Sequence, residues 1–173
     1  MKKWFPVCLC LLLLLTGCGK SPNPISGLDT DEDAPPTSQI SNPWTDHGTL
    51  AEAEKTVGFE LSAPESIEGY DAPIYRTLSG VMLEILYPAE NGEVRIRKQA
   101  ATDVVGNDIS GDYNDYQEYA AIATASENAS ITLSGNEGLY AKAIWTVDGY
   151  AYSITVDPAM DVVTMSGLTA QVN

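Results

Sequence analysis

Leu139-Tyr140-Ala141-Lys142-Ala143-Ile144-Trp145-Thr146-Val147-Asp148-Gly149-Tyr150-Ala151-Tyr152-Ser153-Ile154-Thr155-Val156 is two runs of period two around an Asp-Gly pair. Leu139, Ala141, Ala143, Trp145 and Val147 share one face of the first run. Tyr150, Tyr152, Ile154 and Val156 share one face of the second. Asp148-Gly149 suits a two-residue type I′ turn, in which both central residues take positive φ. Counting outward from the turn pairs 147 with 150, 145 with 152, 143 with 154 and 141 with 156. Every pair is apolar or aromatic, and Trp145 opposite Tyr152 is the expected centre of a core.

Working back along the chain, Val81, Leu83, Ile85 and Tyr87 alternate in the same way, as do Val94 and Ile96 beyond Pro88-Ala89-Glu90-Asn91-Gly92. Setting Tyr87 against Val94 places Ile85 on Ile96, and Glu84 on Arg97 on the other face, a favourable cross-strand charge pair. A slip of one residue sets Ile85 against Arg95, so the apolar pattern fixes the register. Gly135-Asn136-Glu137-Gly138 marks a further turn, with strands expected at 130–134 before it and at 119–124 earlier.

Thr49-Leu50-Ala51-Glu52 is a capping box that opens a helix over 50–57, with Leu50, Ala53 and Val57 as its apolar stripe and Gly58 at its C-terminal end. Phe59-Glu60-Leu61 alternates and is expected as a strand that Pro64 ends. Asp157-Pro158 reads as an N-cap followed by proline at the first helical position, predicting a last helix over 158–170 with Met160, Val163 and Leu168 inward. The expected fold is α+β: a single twisted antiparallel β-sheet with a short N-terminal helix and a C-terminal helix packed on one face.

The chain has 173 residues and a formal charge of -15, from 24 Asp+Glu against 9 Lys+Arg. So negative a chain has no excess of cations to displace counterions from phosphates, which argues against nucleic acid and against polybasic attachment to anionic lipid.

The first residues have a different character. Lys2 and Lys3 precede an apolar run from Trp4 to Leu15, too short for the roughly 20 residues that span a bilayer. Leu15-Thr16-Gly17-Cys18 follows. A positive start, a short apolar run and small residues before a cysteine resemble the lipobox of bacterial lipoprotein precursors. The resemblance implies cleavage after residue 17 and thioether-linked diacylglycerol on Cys18, which anchors the chain to the outer face of the cell membrane through two acyl chains. Cys8 and Cys10 leave with the signal peptide, so the mature chain has no free thiol for disulfides or metal binding.

Residues 18–43 hold Pro22, Pro24, Pro35, Pro36 and Pro43 among polar residues, and read as a flexible tether reaching roughly 25–30 Å. Asp29, Asp31 and Asp33 imitate the start of a calcium loop. Ala34 in place of glycine at the sixth position, and Ile40 in place of the twelfth-position glutamate, point instead to a solvated acidic spacer. The folded domain is expected over 44–173.

No chemistry-bearing constellation appears. His47 is the single histidine, no G-x-S-x-G elbow or phosphate-binding glycine loop occurs, and the expectation is no catalytic residue, no cofactor and no metal. The unusual stretch is 106–118, Gly-Asn-Asp-Ile-Ser-Gly-Asp-Tyr-Asn-Asp-Tyr-Gln-Glu. As an exposed loop it offers Asp108, Asp112, Asn114 and Asp115 to a cation, or Tyr113 and Tyr116 to a sugar or a partner chain, since tyrosine supplies contact area at low entropic loss. A third possibility is a surface loop whose tyrosines half-bury over a sheet edge.

Thr49-Leu50-Ala51-Glu52-Ala53-Glu54-Lys55-Thr56-Val57-Gly58-Phe59 and Trp145-Thr146-Val147-Asp148-Gly149-Tyr150-Ala151-Tyr152-Ser153-Ile154 together resemble a family of extracytoplasmic domains of unknown function. These domains occur in Gram-positive envelope lipoproteins and in the outer parts of some anti-sigma factors. The resemblance implies a fold and an envelope setting and brings no catalytic residue. Two functions are therefore expected as alternatives. One is a non-catalytic binding or sensing module whose partner is an envelope protein or glycan. The other is a carrier that holds an apolar ligand in a cavity among Trp145, Tyr152, Ile85 and Leu83.

Overall fold

A computed structural model describes residues 42–103, 108–123 and 130–173. The elements in chain order are β1 (Trp44–His47), α1 (Leu50–Val57), β2 (Ile74–Leu78), β3 (Met82–Ala89), β4 (Gly92–Ala100), a 3₁₀ turn (Ala101–Asp103), β5 (Glu118–Ala123), β6 (Ser130–Asn136), β7 (Leu139–Val147), β8 (Tyr150–Asp161) and α2 (Val162–Thr169). The eight strands form one open antiparallel sheet in the order β1-β2-β3-β4-β8-β7-β6-β5. With two short helices, this is an α+β fold.

Two up-and-down meanders, β1–β4 and β5–β8, meet where β4 pairs with β8. The chain leaves β4 at the middle of the sheet and must begin β5 at its far edge. The described parts of that connection are the 3₁₀ turn and residues 108–117, and the latter position the candidate site.

The β3–β4 register is the expected one, with Tyr87 on Val94, Ile85 on Ile96 and Glu84 on Arg97. In the last hairpin Val147 pairs with Tyr150, Trp145 with Tyr152 and Ala143 with Ile154. Asp148 and Gly149 take φ of 51° and 81°, as a type I′ turn requires. The Trp145 and Tyr152 rings stack with centroids 5.1 Å apart and planes 4° from parallel. Alternate residues from the central strands (Leu83, Ile85, Tyr87, Val94, Ile96, Tyr152, Ile154) are buried in one cluster with Ala53 of α1 and Met165 and Leu168 of α2. Thr49 caps α1 by accepting the Glu52 N–H, and Gly58 ends it in the left-handed region.

Four expectations need correction. Residues 59–61 form no strand. The Leu61 N–H donates to Glu54 Oε1 at 2.9 Å, and the Glu60 carbonyl accepts from Lys98 Nζ at 2.6 Å. Side chains therefore take the backbone groups that a ladder would use.

The last helix begins at Val162, not Pro158. Asp161 is its cap, accepting the N–H groups of Val163 and Thr164. The Asp157–Pro158 peptide is cis and belongs to β8. Leu168 is buried as expected and Met160 packs half-buried from β8, but Met165 takes the inward place and Val163 is 76% exposed.

The 141/156 pair is also absent. The β7–β8 register jumps from Lys142 on Thr155 to Tyr140 on Met160, so an irregularity in β8 absorbs Pro158, where a missing N–H removes no ladder bond. Finally, Val81 lies in the turn before β3 and is exposed. Two strands, β1 and β2, were not anticipated. His47 ends β1, where its Nε2 lies 3.0 Å from Thr77 Oγ1. Cys18, the tether up to residue 41 and positions 104–107 and 124 lie outside the described residues.

Candidate functional site

Opposite the apolar cluster, the same strands carry a polar layer. Glu84 is fully buried. Its carboxylate accepts from Arg97 Nε at 2.6 Å and from Arg76 Nε, and Arg95 Nε stands 3.8 Å away. Three guanidiniums thus surround one buried carboxylate, with Glu93 adding an ion pair to Arg95. Burial lowers the Arg95 pKa, and neighbouring Arg97 and Arg76 lower it further, while Glu84 opposes the shift. Trp44 lies over the Arg76 and Arg97 guanidiniums at 4.7 and 5.4 Å.

This layer anchors the crossing loop. Arg97 Nη1 donates to the carbonyls of Ile109 (2.9 Å) and Ser110 (2.5 Å). Lys142 Nζ donates to Asp108 Oδ2 at 3.1 Å and to the Asp112 carbonyl at 3.2 Å. Ile109 and Ser110 are buried beneath the loop. Gly111 holds φ of 67°, and a Cβ there would stand 2.6 Å from Arg97 Nη1, so the close approach requires glycine.

The loop also braces itself. The N–H groups of Ser110, Asp112 and Asn114 each bond the side chain two residues earlier, at 2.9, 3.1 and 2.9 Å. Asp112 further accepts from Asn114 Nδ2 and from the Tyr116 hydroxyl. Burial and this contact with Asp112 push the Tyr116 pKa up to about 12. For Asp108, burial raises the pKa, but hydrogen bonds from Ser110 and the Lys142 ammonium outweigh it and leave the carboxyl below its ordinary value.

The six expected residues therefore divide. Asp112, Asn114, Asp115 and Tyr116 line a cleft of about 630 Å³ between the loop and strands β4, β7 and β8, which contribute Glu93, Arg95, Ala141, Thr155 and Asp157. Asp108 is outside the cleft lining, where its exposed carboxylate accepts from Lys142. Tyr113 is 96% exposed outside the cleft. Asp108 and Asp112 are occupied by internal donors, and among the described residues no group of three His, Cys, Asp or Glu side chains could hold a metal ion. The geometry thus provides a polar cleft with Asn114 and Asp115 exposed at its edge.

Sequence reasoning missed Arg97 and Lys142 as the loop's anchors. Lys142 stands out as the one cation of β7, whereas Arg97 shares β4 with Arg95 and Lys98 and carries no distinguishing signal. Comparison with protein-family models, with curated proteins and with solved structures finds no match to this chain.

Proposed function

We propose that the protein is a membrane-anchored extracytoplasmic binding module, held to the outer face of the cell membrane through lipidated Cys18. In this reading it recognises a polar envelope ligand, a glycan or a protein segment, without transforming it. The Lys2–Cys18 pattern, the proline-rich tether and the resemblance to envelope domains support the setting. The same reading takes the sheet as twisted, with both helices covering its Leu83–Ile85–Tyr87 face.

The observation that carries the binding role is the mounting of the loop. Arg97 and Lys142 hold it from beneath, yet no hydrogen bond or ion pair within the described residues engages the Asp115 or Tyr113 side chains. A braced backbone carrying free polar and aromatic side chains is preorganised for contact, because little ordering entropy is lost on binding.

The carrier reading is less well supported. Leu83, Ile85, Trp145 and Tyr152 are buried in one packed cluster. The cleft beside Trp145, lined also by Ile131, Val147 and Val172, measures about 280 Å³, at the small end of the range for ligand pockets.

The test compares wild type with an Asp115→Ala, Tyr113→Ala variant, recovering crosslinked material from intact cells. The substituted side chains are exposed, so thermal stability should be unchanged. The expected result is about a tenfold fall in recovered glycan or protein, equivalent to roughly 1.4 kcal/mol of binding. Equal recovery from both would remove the loop as the recognition surface.

A further inference from the structure

The two edges of the sheet are built differently. β1 is four residues long, follows Pro43 and carries Asp46. Short length, proline and charge are the devices by which proteins blunt a strand edge. β5, Glu118-Tyr119-Ala120-Ala121-Ile122-Ala123, is longer, has no proline and carries a charge at its first residue alone. It pairs only with β6 among the described residues, so alternate N–H and C=O groups face outward. Its one charge, Glu118, stands at its start and already accepts the Gly138 N–H at 2.8 Å. Tyr119 is 67% exposed.

We propose that β5 pairs antiparallel with β5 of a second copy of this chain, joining two sheets across a two-fold axis. The side chains select the register. Two-fold pairing opposes residues of the same face, which leaves Ala121 or Ala120 at the axis. Centring on Ala121 sets Tyr119 against Ala123 of the second copy on one face, and Ala120 against Ile122 on the other. A large side chain then meets an alanine at each off-axis position, and the exposed Tyr119 ring gains cover. The two Glu118 residues stand six positions apart along the seam, about 20 Å at roughly 3.4 Å per residue. That is beyond the Debye length of about 8 Å at physiological salt, so their repulsion is screened. Centring on Ala120 sets Glu118 against Ile122 and is disfavoured. The small, uncharged seam thus complements itself within an otherwise acidic chain.

The test places single cysteines in the full chain and oxidises it in membranes. Ala121→Cys should give disulfide-linked dimer as the main species, because opposed residues bring their Cα atoms within disulfide range. Ala120→Cys, Thr45→Cys on the other edge, and wild type should not. Light scattering should give the unsubstituted chain the mass of a dimer. Ala121→Lys, which sets two ammonium groups at the axis but changes an exposed side chain, should give a folded monomer. A monomeric mass for the unsubstituted chain, as would follow if this edge takes another protein's strand, overturns the proposal. Crosslinking at Ala120→Cys in place of Ala121→Cys also overturns it.

Discussion

Glu84→Gln is expected to lower the unfolding free energy by about 3–5 kcal/mol, the range for breaking a buried ion pair by removing one partner. The physical reason is the arrangement around this side chain. Arg76 and Arg97 donate to its carboxylate, Arg95 stands beside it, and Glu84 has no solvent exposure. Glutamine keeps the shape but removes the charge, leaving like charges close together with little water to screen them. Urea denaturation measures the effect directly. The loop should loosen as well, because Arg97 links Glu84 to the Ile109 and Ser110 carbonyls. Amide exchange at 109–114 should therefore rise in Glu84→Gln at denaturant concentrations well below the transition. A loss under about 1 kcal/mol, the scale of an exposed pair, would show that solvent screens this cluster.

Trp145→Ala is expected to have a comparable effect by a different mechanism. Truncating a buried tryptophan removes transfer free energy and leaves a cavity, together about 3–5 kcal/mol. Trp145 is 5% exposed and stacks on Tyr152 at the middle of the last hairpin. Trp145 belongs to the apolar cluster rather than the polar layer. The variant should therefore lose global stability while local protection of 109–114 persists until the domain unfolds. Denaturant titration with amide exchange separates the two variants. Loss of loop protection in Trp145→Ala would mean that the two faces of the sheet are not energetically separable.

These contrasts mark what was legible in the sequence. The registers of β3–β4 and of the last hairpin could be read because alternation has a period of two and Asp148-Gly149 dictates the turn. The helix over 50–57 could be read because Thr49, Glu52 and Gly58 specify both ends.

The start of α2 was misread because Asp157 and Asp161 are both capable caps. The proline after Asp157 looked decisive, although the Thr164 hydroxyl and two backbone N–H groups converge on Asp161. β1 and β2 were illegible because Trp-Thr-Asp-His and Ile-Tyr-Arg-Thr-Leu are short and mixed, and their pairing is decided by neighbours distant in sequence. The Glu84–Arg97 pair was visible, but its burial was not, since an alternating strand assigns its polar residues to water.

The loop residues were found by composition, but the layer beneath them depends on topology. The passage from central β4 to edge β5 is what sets residues 108–117 against β4 and β7. Lys98 illustrates the same limit on the other face. It reads as a solvated cation, yet its ammonium is buried against the Glu60 carbonyl, within 4.7 and 5.0 Å of the Tyr150 and Tyr152 ring centres.

The most direct test of where this molecule works is the intact mass of the chain purified from a bacterial membrane fraction. The expected species begins at Cys18, lacks residues 1–17, carries the added mass of diacylglycerol and reverts to an unmodified chain in a Cys18→Ser variant. A chain recovered from the soluble fraction that retains Met1–Gly17, or one that begins after Cys18 without lipid, would contradict the anchored module proposed above.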